Sequence, residues 1–580
     1  MKNKLIEKKG KFSIKKFFPQ SKFDWKIYII KTLPIIIGEI IFNLNGLLDN
    51  FMVSHIDGGI DALAYANTYT GIIYTIFFSI QAIGAMFVGQ YYGRKDFDKV
   101  KQIMNLRIWM NLIITLSFAI PAWTLAKQMV HLIGGQGIKP QSELASTYYL
   151  MFIAINWVLT SFNFNTNMLL NETGHSKYAF VSACLTMLTN ASINSICLYG
   201  FHKPAYYAAF GSIIAATVCF TSDSLFTYYK ERKIFINVFK MFHITKPIAK
   251  QLLKRIPAML IAIAGMLTLP TRMIIWSHAY PDNLSGGSGI GEKWMGINAV
   301  TILGLVESLS SVASAITSVC ASNVSFFVAT RLGESDFEGA DKHAHALRGF
   351  HALAGCCMSI LMIAVVFGIA YSPTTTKGVG IGVSQRFYDV QRKDYIIEIL
   401  NKSDILKNSD LLNSLGNDFT FTKGQNLAYD QWVASAVLAT SKEFKETFLL
   451  CSATFIFFNP IWCWFYTSAA LPAAGGRNII GSITILATQW ASFIWLIIIT
   501  YGIVIPLHKT YTGYSDLSIP LELAYFMLFA FDFIRWLMFE IVALKTDWKR
   551  NITNEIEKQD PNFPSNIAEA TATHDIVHKQ

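Results

Sequence analysis

Two acids and two amides stand inside an apolar run near the start of the chain. They are Glu39, Asn43, Asn45 and Asp49, within PIIIGEIIFNLNGLLDN at residues 34–50. At 3.6 residues per turn they fall, with Gly46, on one broad side of a helix. Carboxylate and amide oxygens can hold a small cation, and a carboxylate can also take a proton. A charged side chain at the bilayer centre costs roughly 2.5–3.5 kcal/mol on insertion scales. Lipid cannot satisfy that side, so it must face protein or a water-filled cavity. The expectation is a cavity-lining helix in which Asp49 exchanges a coupling ion, Glu39 supplies a further charge, and Asn43 and Asn45 belong to the wall.

Further polar residues lie inside apolar stretches. Asn163 and Asn167 share a helical face that can line the same cavity or bond a neighbouring helix, while Asn165 points away. Arg272 admits three readings: a buried pair with Glu307, a cavity-facing guanidinium that meets an anionic group, or a side chain snorkelling to an interface. Asp532 and Arg535, three apart, suit a structural ion pair. Asp223 and Glu540 stand near expected helix ends and read as wet. His343, His345 and His351 fall in an expected link without matching acids or cysteines, so no metal site is expected. The eight cysteines lie in apolar segments and read as packing residues.

The elements that must position these groups are membrane helices. Of 580 residues, 52% are hydrophobic and 15% charged, which excludes an ordinary soluble protein of this length. The net charge of +11 gathers at helix ends, where it reads as orientation signal and lipid contact and not as a nucleic-acid surface. Twelve spans are expected, at 27–54, 66–91, 107–133, 145–171, 177–200, 205–229, 251–278, 294–330, 345–371, 443–470, 475–506 and 519–545. Basic residues crowd the first tail, the link after the second span and the link after the sixth. Both termini are therefore expected to be cytoplasmic. The opening stretch lacks the apolar core of a signal peptide and reads as a tail.

The halves repeat. Pro34 and Pro257 stand 223 apart, and the strings YGRKDFD and LGESDFE, at 92–98 and 332–338, stand 240 apart. Gly174 with Lys177 resembles Gly475 with Arg477, and Tyr199-Gly200 resembles Tyr501-Gly502. Each change of spacing falls in one link. The resulting division is a basic tail (1–26), a six-helix bundle (27–229), a linker (230–250), a second bundle (251–545) and a tail (546–580), polar and disordered from about Lys549. The second bundle contains an outer insertion at 372–430 with helical periodicity. The fold class is all-α and polytopic, with two bundles related by a pseudo-two-fold along the membrane normal.

Several strings resemble the multidrug and toxic compound extrusion (MATE) family. They are LPIIIGEIIFNLNGLLDNFMVSHIDGGIDALAYAN, QAIGAMFVGQYYGRKD, NETGHSKYAFVSACLTMLTNASINSICLYG and GSIIAATVCF. The family usually places an acid where Asp49 stands and pairs it with Asn-x-x-x-Asp in the fifth span. Here that pattern reads Asn190-Ala-Ser-Ile-Asn194, so an amide replaces the second acid. Thr217 matches a family threonine in the sixth span. The resemblance thus implies a Na⁺ or H⁺ site built from Asp49, Asn190, Asn194 and Thr217, with no other cofactor.

The function this implies is secondary active export of a lipophilic or cationic small molecule or drug, exchanged for H⁺ or Na⁺ at the cell membrane. The protein would be a monomer in the bilayer, with no nucleic-acid partner. No nucleotide-binding loop of the GxxxxGK[ST] kind is present. The alternatives are a flippase for a lipid-linked oligosaccharide or lipid and, further off, a membrane-embedded transferase. The expected protein is not an enzyme.

Overall fold

The computed structural model describes residues 14–53, 56, 59–134, 140–266, 268–280, 299–372, 423–510 and 519–553. The described residues form helices and turns, without strands. In chain order the first half holds α1 (Lys22–Val53), α2 (Gly59–Gly93), α3 (Phe97–Thr124), α4 (Ala126–Gly134), α5 (Pro140–Glu172), α6 (Ser176–Asn194) and α7 (Ala208–Lys230). The second half holds α8 (Lys246–Leu253), α9 (Ile256–Met266), α10 (Thr268–Ala279), α11 (Ala299–Ala313), α12 (Ala315–Val324), α13 (Phe337–Ala370), α14 (Lys423–Ala474), α15 (Asn478–Ile497), α16 (Leu521–Ala530) and α17 (Asp532–Lys545).

Among the described residues, ten helical stretches are long and apolar enough to cross a membrane. The expected twelfth span is broken at Phe531 into two shorter helices, α16 and α17. The expected seventh is described as α9 and α10, on either side of residue 267, which lies outside the described residues. α14 runs for 52 residues, so it begins well before the expected span at 443. The insertion expected at 372–430 lies outside the described residues except for residue 372 and this helical start.

The repeat has a local physical cause. Asp96 and Asp336 cap α3 and α13 alike, accepting from Lys99 N at 3.2 Å and Gly339 N at 2.8 Å. The residues before them, Lys95 and Ser335, are both left-handed, with φ of 63° and 62°. The glycines of the two strings serve the packing between halves. A Cβ on Gly93 would strike Thr330 O, and one on Gly333 would strike Gln90 O. The two helix ends thus cross at backbone distance, each glycine making room for the other half. Later in the chain the left-handed glycines are Gly174 (φ 78°) and Gly476 (φ 82°). The partner of Gly174 is therefore Gly476, one residue beyond the sequence match at Gly475.

Apolar packing is partly divided between the halves. One buried cluster joins Trp157, Phe77, Tyr149 and Leu198 within the first half, and another joins Trp276, Phe448, Phe465 and Tyr525 within the second. Elsewhere the halves mix: Tyr28, Ile35 and Ile36 of α1 pack on α12, α13 and α14.

Three expectations are corrected. The tail expected to be disordered from Lys549 is docked as far as Thr553. Trp548 and Ile552 are buried, and Gln90 Oε1 accepts from Ile552 N at 3.0 Å. His343, His345 and His351 lie on α13 and not in a link; His351 is fully buried between Asn323 and Thr467, both at 2.7 Å. Glu540 is partly buried and accepts from Trp464 Nε1 at 2.8 Å. The Asp532–Arg535 pair forms at 2.7 Å, with Trp462 Nε1 on the second carboxylate oxygen. No cluster of metal-ligating side chains occurs among the described residues.

Candidate functional site

A cavity of about 340 Å³ opens beside α1, walled by α1, α2, α5, α6 and α7. α1 contributes its expected polar side: Glu39, Asn43, Asn45 and Asp49 all line it. Asp49, in the last turns of the helix, is buried. Its Oδ1 accepts from Asn190 Nδ2 at 2.6 Å and from Asn194 Nδ2 at 2.9 Å. Asn190 Nδ2 also donates to Asn45 Oδ1 at 3.0 Å, and Asn194 Nδ2 to Asn190 Oδ1 at 3.3 Å. The two asparagines are one helical turn apart on α6, so a single face delivers both amides.

Gly211 of α7 makes this possible. A Cβ there would collide with the Oδ1 atoms of Asn190 and Asn194. The sequence offers no hint of this role, because only the crossing of α6 and α7 gives it meaning. Asn194 Oδ1 is buried and has no partner. The group therefore holds one carboxylate and an uncommitted amide oxygen in a place closed to bulk water, a donor set suited to a proton or a small hard cation.

Glu39 is buried in the same wall but ten residues from Asp49, about 15 Å along the helix. Its hydrogen-bonding neighbour is Ser318 of α12. It therefore belongs to the seam between the halves and not to the Asp49 group. Asn43 also reaches that seam, donating to Ser311 O at 3.3 Å. Asn163 and Asn167 line the cavity and donate to Ala216 O and Ala179 O, both at 3.3 Å. Asn165 turns away, onto Ser161 O at 2.8 Å.

Thr217 is not brought to Asp49. Its side chain is on the exposed face of α7, and its hydroxyl returns to Ile213 O at 3.0 Å. The face of α7 toward the cavity carries Ser212, Ala215, Ala216 and Cys219; Thr217, five residues after Ser212, is rotated away from it by about 140°. Arg272 and Glu307 do not line this cavity either. Arg272 is buried and donates through Nη2 to Gln489 Oε1 at 3.3 Å. Glu307 is its electrostatic neighbour but not a direct ion-pair partner.

Sequence reading missed the aromatic part of the wall. Tyr74, Phe78, Tyr149 and Phe164 face the cavity together with Asn156 and Thr160. It also missed Glu172, which is fully buried with Arg107 at 2.8 Å. Gln81 Nε2 links that pair to the second half, donating to Glu172 Oε1 at 3.1 Å and Ser322 Oγ at 3.3 Å.

Residues 34–196, which contain Asp49, Asn190 and Asn194, match the family model MatE. The multidrug export protein MepA of Staphylococcus saprophyticus is 22% identical over 291 residues, which are 48% of this chain. The chain spans 61% of the length of that relative. Over these stretches the chain is similar to MATE proteins. Its fold is that of solved MATE structures. The eukaryotic MATE transporter AtDTX14 superposes with a TM-score of 0.62 at 12% identity, over 92% of this chain and 98% of that one. A MATE structure in complex with MaL6 gives 0.62 at 13%, over 92% and 97%. A transporter of the larger MOP superfamily from Pyrococcus furiosus gives 0.57 at 12%, over 92% and 99%. With its many long apolar helices, the chain is a multi-pass membrane protein.

Proposed function

We propose that this protein is a MATE-type secondary active exporter of lipophilic or cationic small molecules, exchanging them for H⁺ or Na⁺ at Asp49. The observation that carries the reading is the position of Asp49. Its carboxylate is held by two amides of α6 in the wall of a cavity that also presents four aromatic rings. A flat cation can stack on such rings, while the carboxylate alternates between its ion and the carrier's empty state. Exchange requires the ion and the cargo to favour different states of the first bundle. The reading keeps the twelve spans, the two rocking bundles, the cytoplasmic termini and the monomer expected from the sequence.

The flippase alternative would suit Arg272 as an anion receptor and the outer insertion expected at 372–430. Here that guanidinium is engaged by Gln489 and lies off the cavity, so the cationic cargo is preferred. The test is ethidium efflux from cells producing the wild type or Asp49→Asn at equal level, with the Na⁺ and pH gradients collapsed in turn. Export by the wild type alone, abolished by loss of one gradient, supports the reading and names the ion. Equal export by both proteins removes Asp49 from the mechanism, and no export by either removes the drug-exporter reading.

A further inference from the structure

A second carboxylate is hidden beside the cavity. Asp223 of α7 reads from sequence as a wet residue near a helix end, yet it is fully buried. Thr166 Oγ1 of α5 donates to its Oδ2 at 3.2 Å, and Cys219 Sγ, one turn back on α7, does so at 3.8 Å. Its Oδ1 is buried without any partner. The other groups turned toward it are Ser182 of α6 and Asn167 of α5. Cys219 is the titratable group facing it; α5 and α6 bring hydroxyls and an amide. Among the described residues no cationic side chain is paired with it.

An ionised carboxylate in that setting costs several kcal/mol unless something neutralises it. A metal cation needs several oxygen lone pairs turned toward it, and here Thr166 and Cys219 turn hydrogens toward the carboxylate. Ser182 is bonded to Ser222 at 2.5 Å, and Thr166 donates to Asn163 O as well as to Asp223. A proton needs only the free Oδ1. Asn167 and Cys219 line the cavity and also face Asp223, so only their side chains separate the acid from it. Along α7, Asp223 is eleven residues beyond Ser212, the neighbour of Asp49, or roughly 16 Å nearer the end of the helix that carries Lys230.

We infer that Asp223 is a second proton-binding site, loaded from the cavity independently of Asp49. In the loading step hydronium in the cavity gives one proton to Oδ1, leaving water and a neutral carboxylic acid; unloading is the reverse. No oxidation or group transfer is involved. Its use in transport rests on the exporter reading, as a station on the Lys230 side of the cavity that changes charge with the protein's state.

The test is infrared difference spectroscopy on the purified full-length protein, stepped between alkaline and acidic buffer without cargo. The wild type should gain carboxylic acid C=O bands on acidification. Asp223→Asn should lose one of them and Asp49→Asn a different one. Thr166→Val, which keeps the acid and removes a donor, should keep the Asp223 band and shift its frequency. An Asp223→Asn spectrum identical to wild type overturns the proposal. If that variant fails to fold, an unshifted Thr166→Val spectrum overturns it instead. The spectra need no transport. A titrating Asp223 in a protein that exports no ethidium therefore sinks the exporter reading and leaves this site standing, whereas ethidium export with a silent Asp223 does the opposite.

Discussion

Asn194 donates its amide to Asp49 Oδ1 at 2.9 Å, and its own carbonyl oxygen is left buried and unpaired. The amide thus stands where many relatives of the resembled pattern have an acid. We expect Asn194→Asp to place a second negative charge against Asp49. Two carboxylates that close cannot both ionise freely, so the variant should bind one more proton than the wild type in the same buffer. Proton uptake on acidification of purified protein measures this. Equal uptake in both proteins would show that Asn194 does not set the charge of the site.

Gly211 is the floor on which the two amides rest. A Cβ there meets Asn190 and Asn194 side-chain oxygens. Gly211→Ala should push both amides off Asp49 and cost about 1–3 kcal/mol through overpacking. Ethidium efflux should fall about 5- to 150-fold, the range of a lost coupling energy. Unchanged efflux at normal expression would mean that α7 can move away without consequence.

The buried Arg107–Glu172 pair should be costly to break and cheap to replace. Both side chains have no exposure, and Arg107 Nε and Nη2 lack partners. Glu172→Gln leaves a guanidinium uncompensated and should destabilise the protein by about 3–5 kcal/mol. Replacing both residues by Met should recover most of that loss. Thermal unfolding in detergent reads both. Equal loss in the single and double variants would make the pair itself a net stabiliser.

How far the site could be read from sequence follows from which residues act locally. The polar side of α1 was legible because helical spacing alone puts Glu39, Asn43, Asn45 and Asp49 together. Asn190 and Asn194 were legible as an i, i+4 pair carried by resemblance. Thr217 failed because a motif position does not state which face of α7 turns inward; the rotation is set by Gly211 packing on α6. Asp223 and Glu172 failed for a related reason. Both stand near helix ends, where acids are usually wet, but here other helices continue past them and close over them. The docked segment at 547–553 is polar by composition and is held by the side chain of Gln90, which no local pattern announces.

His175 supplies a pH dependence outside the spans. It joins α5 to α6, with Glu231 Oε2 3.6 Å from its Nε2. Burial holds its pKa below the ordinary histidine value and outweighs the opposing pull of Glu231; Lys31 and Lys177 push the same way as burial. A depressed histidine pKa means that the unfolded chain binds the proton more readily. The stabilisation is therefore present above the ordinary histidine value of about 6.5 and is lost as pH falls toward the folded value. We expect His175→Gln to flatten the acid side of the thermal stability profile. A profile of the same slope in both proteins would remove His175 as its source.

The segment after α17 should act as a strap across both halves. Gln90 Nε2 of α2 donates to Ala474 O at 2.8 Å and Arg550 O at 3.3 Å, and Gln90 Oε1 accepts from Ile552 N. Arg94 Nη1 donates to Thr553 Oγ1 at 2.8 Å, while Asn551 Nδ2 donates to Gly333 O and Ser335 Oγ, both at 3.0 Å. One short segment therefore ties the crossing point of Gly93 and Gly333 from both sides. Any rocking of the bundles that opens this crossing must first release it. Gln90→Ala removes three of these bonds without touching the cavity or Asp49. At about 1 kcal/mol each, their loss should raise the population of the open state by tenfold or more. Backbone amides at 85–93 and 325–333 should then exchange hydrogen faster than in the wild type, with the amides of α6 unchanged. If only a global acceleration is seen, Gln90 supports the fold as a whole and the strap does not gate the crossing.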